Sequence, residues 1–251
     1  MIFIIFLQLI ENKLFCMDSY SQNQLLSTSF WQKIDFFRGV PSELLKNILR
    51  DAEVVATSSK KIIFYEGDRA EHFGFVIDGI FKLHRLDYLG HSVAMDFVTS
   101  GGMVAGLLMA AEDSIYPVTV QSIKAGSFLK IPKSTFDRYW CNSADIMKKV
   151  QIANMERVSS MQTMRDGQRL PLEQKIAWIL VKLLAKLFEN DKFLKIYFSR
   201  VDISDAIGAA PASVIRVFSK WTKDGLIEIK GGEEFVNLEK LNTIYFNTFD
   251  I

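Results

Sequence analysis

Only two of the 251 residues are cysteine, Cys16 and Cys141. Two thiols cannot build a disulfide framework, and their separation fits no metal-binding spacing. They also fall short of the roughly four thiolates that an iron–sulfur cluster takes. A reducing, cytoplasmic setting is the simplest reading. An excess of one charge is missing too: 30 Lys and Arg stand against 29 Asp and Glu, for a net charge of +1. Nothing global marks a nucleic-acid binder, so any DNA-binding surface must be local. The apolar opening run, residues 1–10, is shorter than the roughly 20 residues that span a bilayer. It also lacks the basic flank and small-residue cleavage site of a secretory signal. Met17 opens a polar stretch and reads as the true start, with residues 1–16 an upstream extension; a membrane anchor is the competing reading. No nucleophile elbow, phosphate loop, metal motif or carboxylate pair is present, so no enzyme is expected. His72, His84 and His91 fall on separate turns or strands without ligand spacing. No cofactor is expected from them.

What the chain does have is a globular composition, 49% hydrophobic and 24% charged, and length enough for two cores. Residues 30–37 and 41–49 read as two short helices capping the next domain, with Leu44, Leu45, Ile48 and Leu49 at helical spacing. From about Val54 to Ile131, short β-rich runs appear: 61–65, 73–77, 80–84, 92–98 and 118–123. Gly67, Gly79, Gly90 and Gly101–Gly102 punctuate them at regular intervals, the signature of a sandwich or barrel. Asp78–Gly79 reads as a hairpin turn. Helical periodicity returns over residues 134–164, about 45 Å of helix at 1.5 Å per residue. Its apolar stripe comprises Ile146, Met147, Val150, Ala153, Met155, Val158, Met161 and Met164. So long a helix suits pairing with a second copy, although packing on its own domain stays open. Asp166–Gly167–Gln168 reads as a hinge. Another helix begins at Pro171, with Ile176, Ile179, Leu180, Leu183, Leu184 and Leu187 on its apolar face, and ends at Asn190–Asp191.

Residues 199–228 are the most informative. Ser199 to Asp202 forms a capping box, a helix follows, and Gly208 is placed to end it. Pro211 suits the first turn of a second helix running to Lys223. Two short helices across a glycine-containing turn make a helix-turn-helix. In the second helix Val214, Val217, Phe218 and Trp221 supply the buried face, and Ala212, Ser213, Arg216, Lys220 and Lys223 face outward. A basic, acid-free face suits the major groove, where guanidinium meets guanine and ammonium meets phosphate. Residues 226–230 and 233–237 flank Gly231–Gly232 as a two-residue hairpin, the wing. Across residues 200–230 five basic residues (Arg200, Arg216, Lys220, Lys223, Lys230) face four acidic ones, Asp202, Asp205, Asp224 and Glu228. That footprint is thin, and heads that bind a protein partner are the alternative.

The order of these parts resembles the CRP/FNR family, the cyclic-AMP receptor protein and its relatives. Residues 65–68, Ala70 and residues 75–79 are similar to the family's roll signature, with Gly90, Gly102 and Gly106 at later turns. Residues 131–136 resemble the strand entering the connecting helix. Residues 203–208, with Pro211, Ser213, Val214 and Arg216, are similar to its helix-turn-helix. The resemblance covers roughly residues 30–241. It implies an α+β chain: a leader over 1–29, a sensor β-roll (a jelly-roll-like double-stranded β-helix) over 30–133, a dimerisation helix and hinge over 134–168, and a DNA-binding winged helix-turn-helix over 169–251. It also implies a homodimer on a two-fold symmetric operator, with RNA polymerase as a further partner. The DNA-binding set would be Pro211, Ala212, Ser213, Arg216, Lys220 and Lys223. Arg216 matches the guanine-reading position, and Ser213 and Lys220 are expected on phosphates.

The departures matter as much. Cyclic-nucleotide members hold the ribose with a Glu and the cyclic phosphate with an Arg–Ser or Arg–Thr pair. Here Leu107 stands at the glutamate position, Tyr116–Pro117 stands near the Arg–Ser position, and no Lys or Arg occurs between Arg85 and Lys124. A buried phosphate needs charge-assisted donors, so cyclic AMP is not expected to bind in the usual way. The expected pocket, Met103, Val104, Gly106, Leu107, Leu108, Tyr116 and Val118, suits an apolar effector or closure by its own side chains. Ala212 replaces the family's recognition-helix Glu, so the operator preference does not carry over.

Overall fold

The computed structural model describes residues 27–167, 169–185 and 192–246. Residues 1–26 of the leader with Met17, Gln168 of the hinge, Leu187 and Asn190–Asp191 lie outside the described residues. The described residues form two compact units, one within 27–85 and 97–160, the other within 86–96 and 161–246.

The first unit opens with α1 (Thr28–Trp31), capped by the Ser27 hydroxyl accepting the Phe30 N–H. A tight turn over Asp35–Phe37 and α2 (Ser42–Arg50) follow. Aromatic rings fix this cap to the sheet: Phe37 lies 4.8 Å from Phe75 and Trp31 5.4 Å from Phe37, centroid to centroid. Each such pair contributes about 0.5–1.5 kcal/mol beyond its burial.

The strands are β1 (Glu53–Thr57), β2 (Ile62–Phe64), β3 (His72–Leu86), β4 (Ser92–Thr99), β5 (Met103–Val104) and β6 (Thr119–Pro132). They pair in the order β1-β6-β3-β4, with β2 on β6 and β5 on β3. This corrects the hairpin expected at Asp78–Gly79. β3 runs straight through it, and the register against β6 shifts at Val76/Asp78 and Asp78/Ile80 instead. Gly79 has φ +98°, and a Cβ there would sit 2.8 Å from the Lys124 carbonyl oxygen. The glycine makes a bulge in one long strand, which bends it without ending it. β6, similarly, extends past the expected run to Pro132.

The expected helix from Ser134 is interrupted. A helical turn at Lys133–Thr135 passes into a wide π turn over Phe136–Trp140, and the chain breaks before α3 (Ala144–Gly167). The break lets Phe136 and Trp140 bury fully, with Trp140 4.7 Å from the Phe73 ring. α3 spans about 36 Å at 1.5 Å per residue. Its expected stripe divides: Ile146 and Val150 are buried, while Met155, Val158 and Met161, with Ile152, are exposed.

The second unit contains α4 (Leu172–Ala185), β7 (Phe193–Lys195), α5 (Arg200–Ile207), α6 (Pro211–Lys223), β8 (Ile227–Lys230), β9 (Glu233–Asn237) and α7 (Leu238–Phe246). α4 buries Ile176, Ile179, Leu180, Leu183 and Leu184. The wing hairpin gains a third strand absent from the sequence reading, in the order β7-β9-β8. Gly231 and Gly232 turn between β8 and β9 with φ +61° and +80°, the left-handed pair that a two-residue turn of this hand requires.

Candidate nucleic-acid interface

α5 starts where Ser199 accepts the Asp202 N–H at 3.1 Å while the Asp202 carboxylate accepts the Ser199 N–H at 3.1 Å. Gly208 ends it in the left-handed region, its N–H returning to the Ser204 carbonyl. Pro211 then opens α6 without losing a helical hydrogen bond. Val214, Phe218 and Trp221 are buried, and Val217 is half-buried. Val201, apolar in sequence, is left exposed, as is Ile215.

At about 100° per residue, the centre of the outward face of α6 carries Ala212, Arg216, Ser219 and Lys223, all exposed. Ser219 was not among the expected residues; the helical wheel opposite Val214, Phe218 and Trp221 would have found it. Pro211 is exposed at the first turn, and Ser213 is half-buried. The Arg216 guanidinium donates to the Ser213 hydroxyl at 3.0 Å, which orients the arginine along the helix.

The basic residues divide sharply. Arg200 pairs with Glu234 and lies 3.6 Å over the Phe218 ring. Lys230 pairs with Glu228 at 2.7 Å. Lys220, expected on phosphate, lies 3.0 Å from Glu173 at the start of α4. Burial pushes the Glu173 carboxyl up, but the Trp221 indole and the Lys220 ammonium pull it below its ordinary range. The Glu173 carboxylate holds Lys220 above the usual lysine range. Among the described residues no carboxylate pairs with Arg216 or Lys223. These two cations stand on an outward face that has no acid between Pro211 and Lys223.

In the roll, Met103 and Val104 form β5 against Phe75 and Gly74 of β3. Ala105 takes a left-handed φ of +61° before the short turn Gly106–Ala110. A Cβ on Gly106 would lie 2.4 Å from the Met103 sulfur, so the methionine fills that space itself. Leu107 is 61% exposed. Leu108 and Val118 are half-buried. Tyr116 is buried and stacked 4.4 Å from Phe64, its hydroxyl donating to the His72 carbonyl at 2.7 Å. Burial raises that hydroxyl to about 12. Of these residues Met103, Val104, Gly106 and Tyr116 are thus buried and Leu107 is exposed. The arginine of α3, Arg157, donates to the Met103 carbonyl. Lys82 is buried in β3, but it alternates with Phe81 and Leu83, which belong to the roll core, and so faces the other side.

Residues 54–140 match the cyclic nucleotide-binding domain family, and residues 174–244 match the Crp-like helix-turn-helix domain. Among curated proteins, the transcriptional activator protein FnrA of Stutzerimonas stutzeri is 24% identical over 68% of this chain and 71% of its own. The transcriptional activatory protein AadR of Rhodopseudomonas palustris is 28% identical over 72% of this chain and 75% of its own. Among solved structures, FixK2 from Bradyrhizobium japonicum shares the fold with a TM-score of 0.65 at 17% identity, over 77% of this chain and 96% of that one.

Proposed function

Since the chain belongs to the CRP/FNR family of transcription regulators, we propose that it acts as a homodimer reading a two-fold symmetric operator through α6. One observation carries this reading: Arg216 and Lys223 are the cations of the helix-turn-helix without a carboxylate partner among the described residues, and they share the outward face of α6. Arg216 is assigned to a guanine edge, where its planar fork can bond O6 and N7 together. Lys223 is assigned to phosphate, with Pro211, Ala212 and Ser213 lining the approach.

The dimer is assigned to α3. Ile152, Met155, Val158 and Met161 are exposed and follow one another at three-residue steps, one of the ridges by which helices interlock. In the family reading RNA polymerase is a further partner and the setting is cytoplasmic. No helix among the described residues is long and apolar enough to cross a membrane. The roll is assigned an apolar effector or none. Heads that dock a protein are the second reading, favoured by the internal pairing of Arg200, Lys220 and Lys230.

Analytical ultracentrifugation of the purified chain, with and without duplex DNA, tests both claims. The expected result is a dimer that co-sediments with duplex. A monomer that leaves the duplex free contradicts the reading.

A further inference from the structure

Lys220 lies on the recognition helix but not at the centre of its outward face. At about 100° per residue, Arg216 and Lys223 are separated by about 20° around the axis, whereas Lys220 is turned about 40° from one and 60° from the other. That rotation brings it to the flank that meets α4. There its ammonium lies 3.1 and 3.0 Å from the two carboxylate oxygens of Glu173. The same carboxylate accepts the indole N–H of Trp221 at 2.7 Å. Trp221 is buried, so its indole does not swing away to release the carboxylate. One glutamate thus holds two consecutive residues of α6, one by hydrogen bond and one by charge.

Resting on the DNA-binding reading above, we propose that Glu173 is a positioning residue that withdraws Lys220 from the DNA-contact set and so limits the head's phosphate footprint. Glu173 occupies the place that a DNA phosphate would take on Lys220. A cation already matched by a fixed carboxylate gains little from exchanging it for phosphate, and it releases no counterion from DNA. The consequence is a head whose affinity depends less on salt than its five basic residues suggest. Non-specific binding, which is almost wholly electrostatic, is weakened, and Arg216 supplies a larger share of the discrimination.

The Glu173→Gln variant separates charge from scaffold, because the amide oxygen still accepts the Trp221 indole while the negative charge is gone. Anisotropy titrations of a labelled duplex of arbitrary sequence, repeated across a range of salt concentrations, give the slope of log Kobs against log salt. Each phosphate contact adds about 0.9 to the magnitude of that slope. Glu173→Gln is expected to steepen the slope by about that amount, a further three- to fourfold loss of affinity between about 50 and 200 mM salt. The double variant Glu173→Gln with Lys220→Met is expected to return to the wild-type slope. Coincident slopes for Glu173→Gln and wild type would overturn the inference, as would a steeper slope that persists without Lys220. A wild-type chain that leaves duplex free overturns the DNA-binding reading and takes this inference with it. Wild-type binding with unchanged variant slopes overturns the inference alone.

Discussion

The carboxylate of Glu173 accepts the indole N–H of Trp221 at 2.7 Å, tying the first turn of α4 to the last turn of the recognition helix. Trp221 is buried, and a buried donor left without an acceptor costs about 1–3 kcal/mol. Glu173→Ala is therefore expected to lower the stability of the second unit by that amount, and Glu173→Gln by clearly less. Urea unfolding followed by tryptophan fluorescence measures the difference. Equal midpoints for the two variants would contradict the role of this bond.

The same residue sets a pH dependence. Burial pushes the Glu173 carboxyl up, yet the Trp221 and Lys220 contacts prevail and its pKa is lower folded than unfolded. A carboxyl shifted in that direction stabilises the fold above its unfolded pKa, and the contribution is lost as pH falls through the folded value. Thermal unfolding of the wild type is expected to drop as pH descends through and below the ordinary carboxylate range. Glu173→Gln should show a shallower acid limb, and parallel limbs would speak against the shift.

Gly79 and Gly90 both have positive φ, but a Cβ at Gly79 would meet the Lys124 carbonyl at 2.8 Å, whereas nothing lies within 4 Å of one at Gly90. Alanine at Gly79 carries both strain and clash, so a loss of about 1–3 kcal/mol is expected. Alanine at Gly90 carries the strain alone and should cost less. Chemical denaturation of the two variants decides; the reverse order would show that the bulge in β3 does not confine Gly79.

Met155 is 70% exposed on α3, and burying such a side chain contributes about 1.5–3 kcal/mol. In the proposed dimer, Met155→Glu would replace that gain with a charge facing its symmetry mate. Light scattering is expected to report a monomer for this variant under conditions where the wild type is a dimer. A dimer that survives the substitution would place the interface elsewhere.

Cyclic AMP is expected to give no saturable heat on titration into the chain. The stretch between Arg85 and Lys124 supplies no Lys or Arg, an exposed Leu107 stands where the family resemblance places the ribose-binding glutamate, and Tyr116 is committed to the β3 backbone. Tight, nucleotide-specific calorimetric binding would refute this.

The parts of the fold that sequence revealed best are punctuated locally. The Ser199–Asp202 box, Gly208, Pro211 and Gly231–Gly232 each act within a few residues, and each does in space what its spacing implies. Relationships set by distant partners were not legible. Gly79 reads as a turn residue because a hairpin glycine and a bulge glycine look alike until the opposing strand, Lys124 to Gly126, is in place. The pairing of Lys220 with Glu173 is invisible in sequence because the carboxylate lies 47 residues upstream on another helix. Arg200 reads simply as one of five basic residues for the same reason, its partner Glu234 lying on the wing. The stripe on α3 was visible as apolar spacing, but periodicity alone could not separate Ile146 and Val150, which face the roll core, from Met155 and Val158, which are exposed.

α6 is proposed to read a specific DNA site through Arg216. Selection of bound fragments from a genomic library by the purified chain, with Arg216→Ala run in parallel, tests it most directly. The expected result is enrichment of a two-fold symmetric site by the wild type, and its loss in the variant through about 1–3 kcal/mol of missing base discrimination. Equal enrichment of the same site by both proteins would contradict the role of Arg216, and a folded dimer that enriches no site would contradict the claim itself.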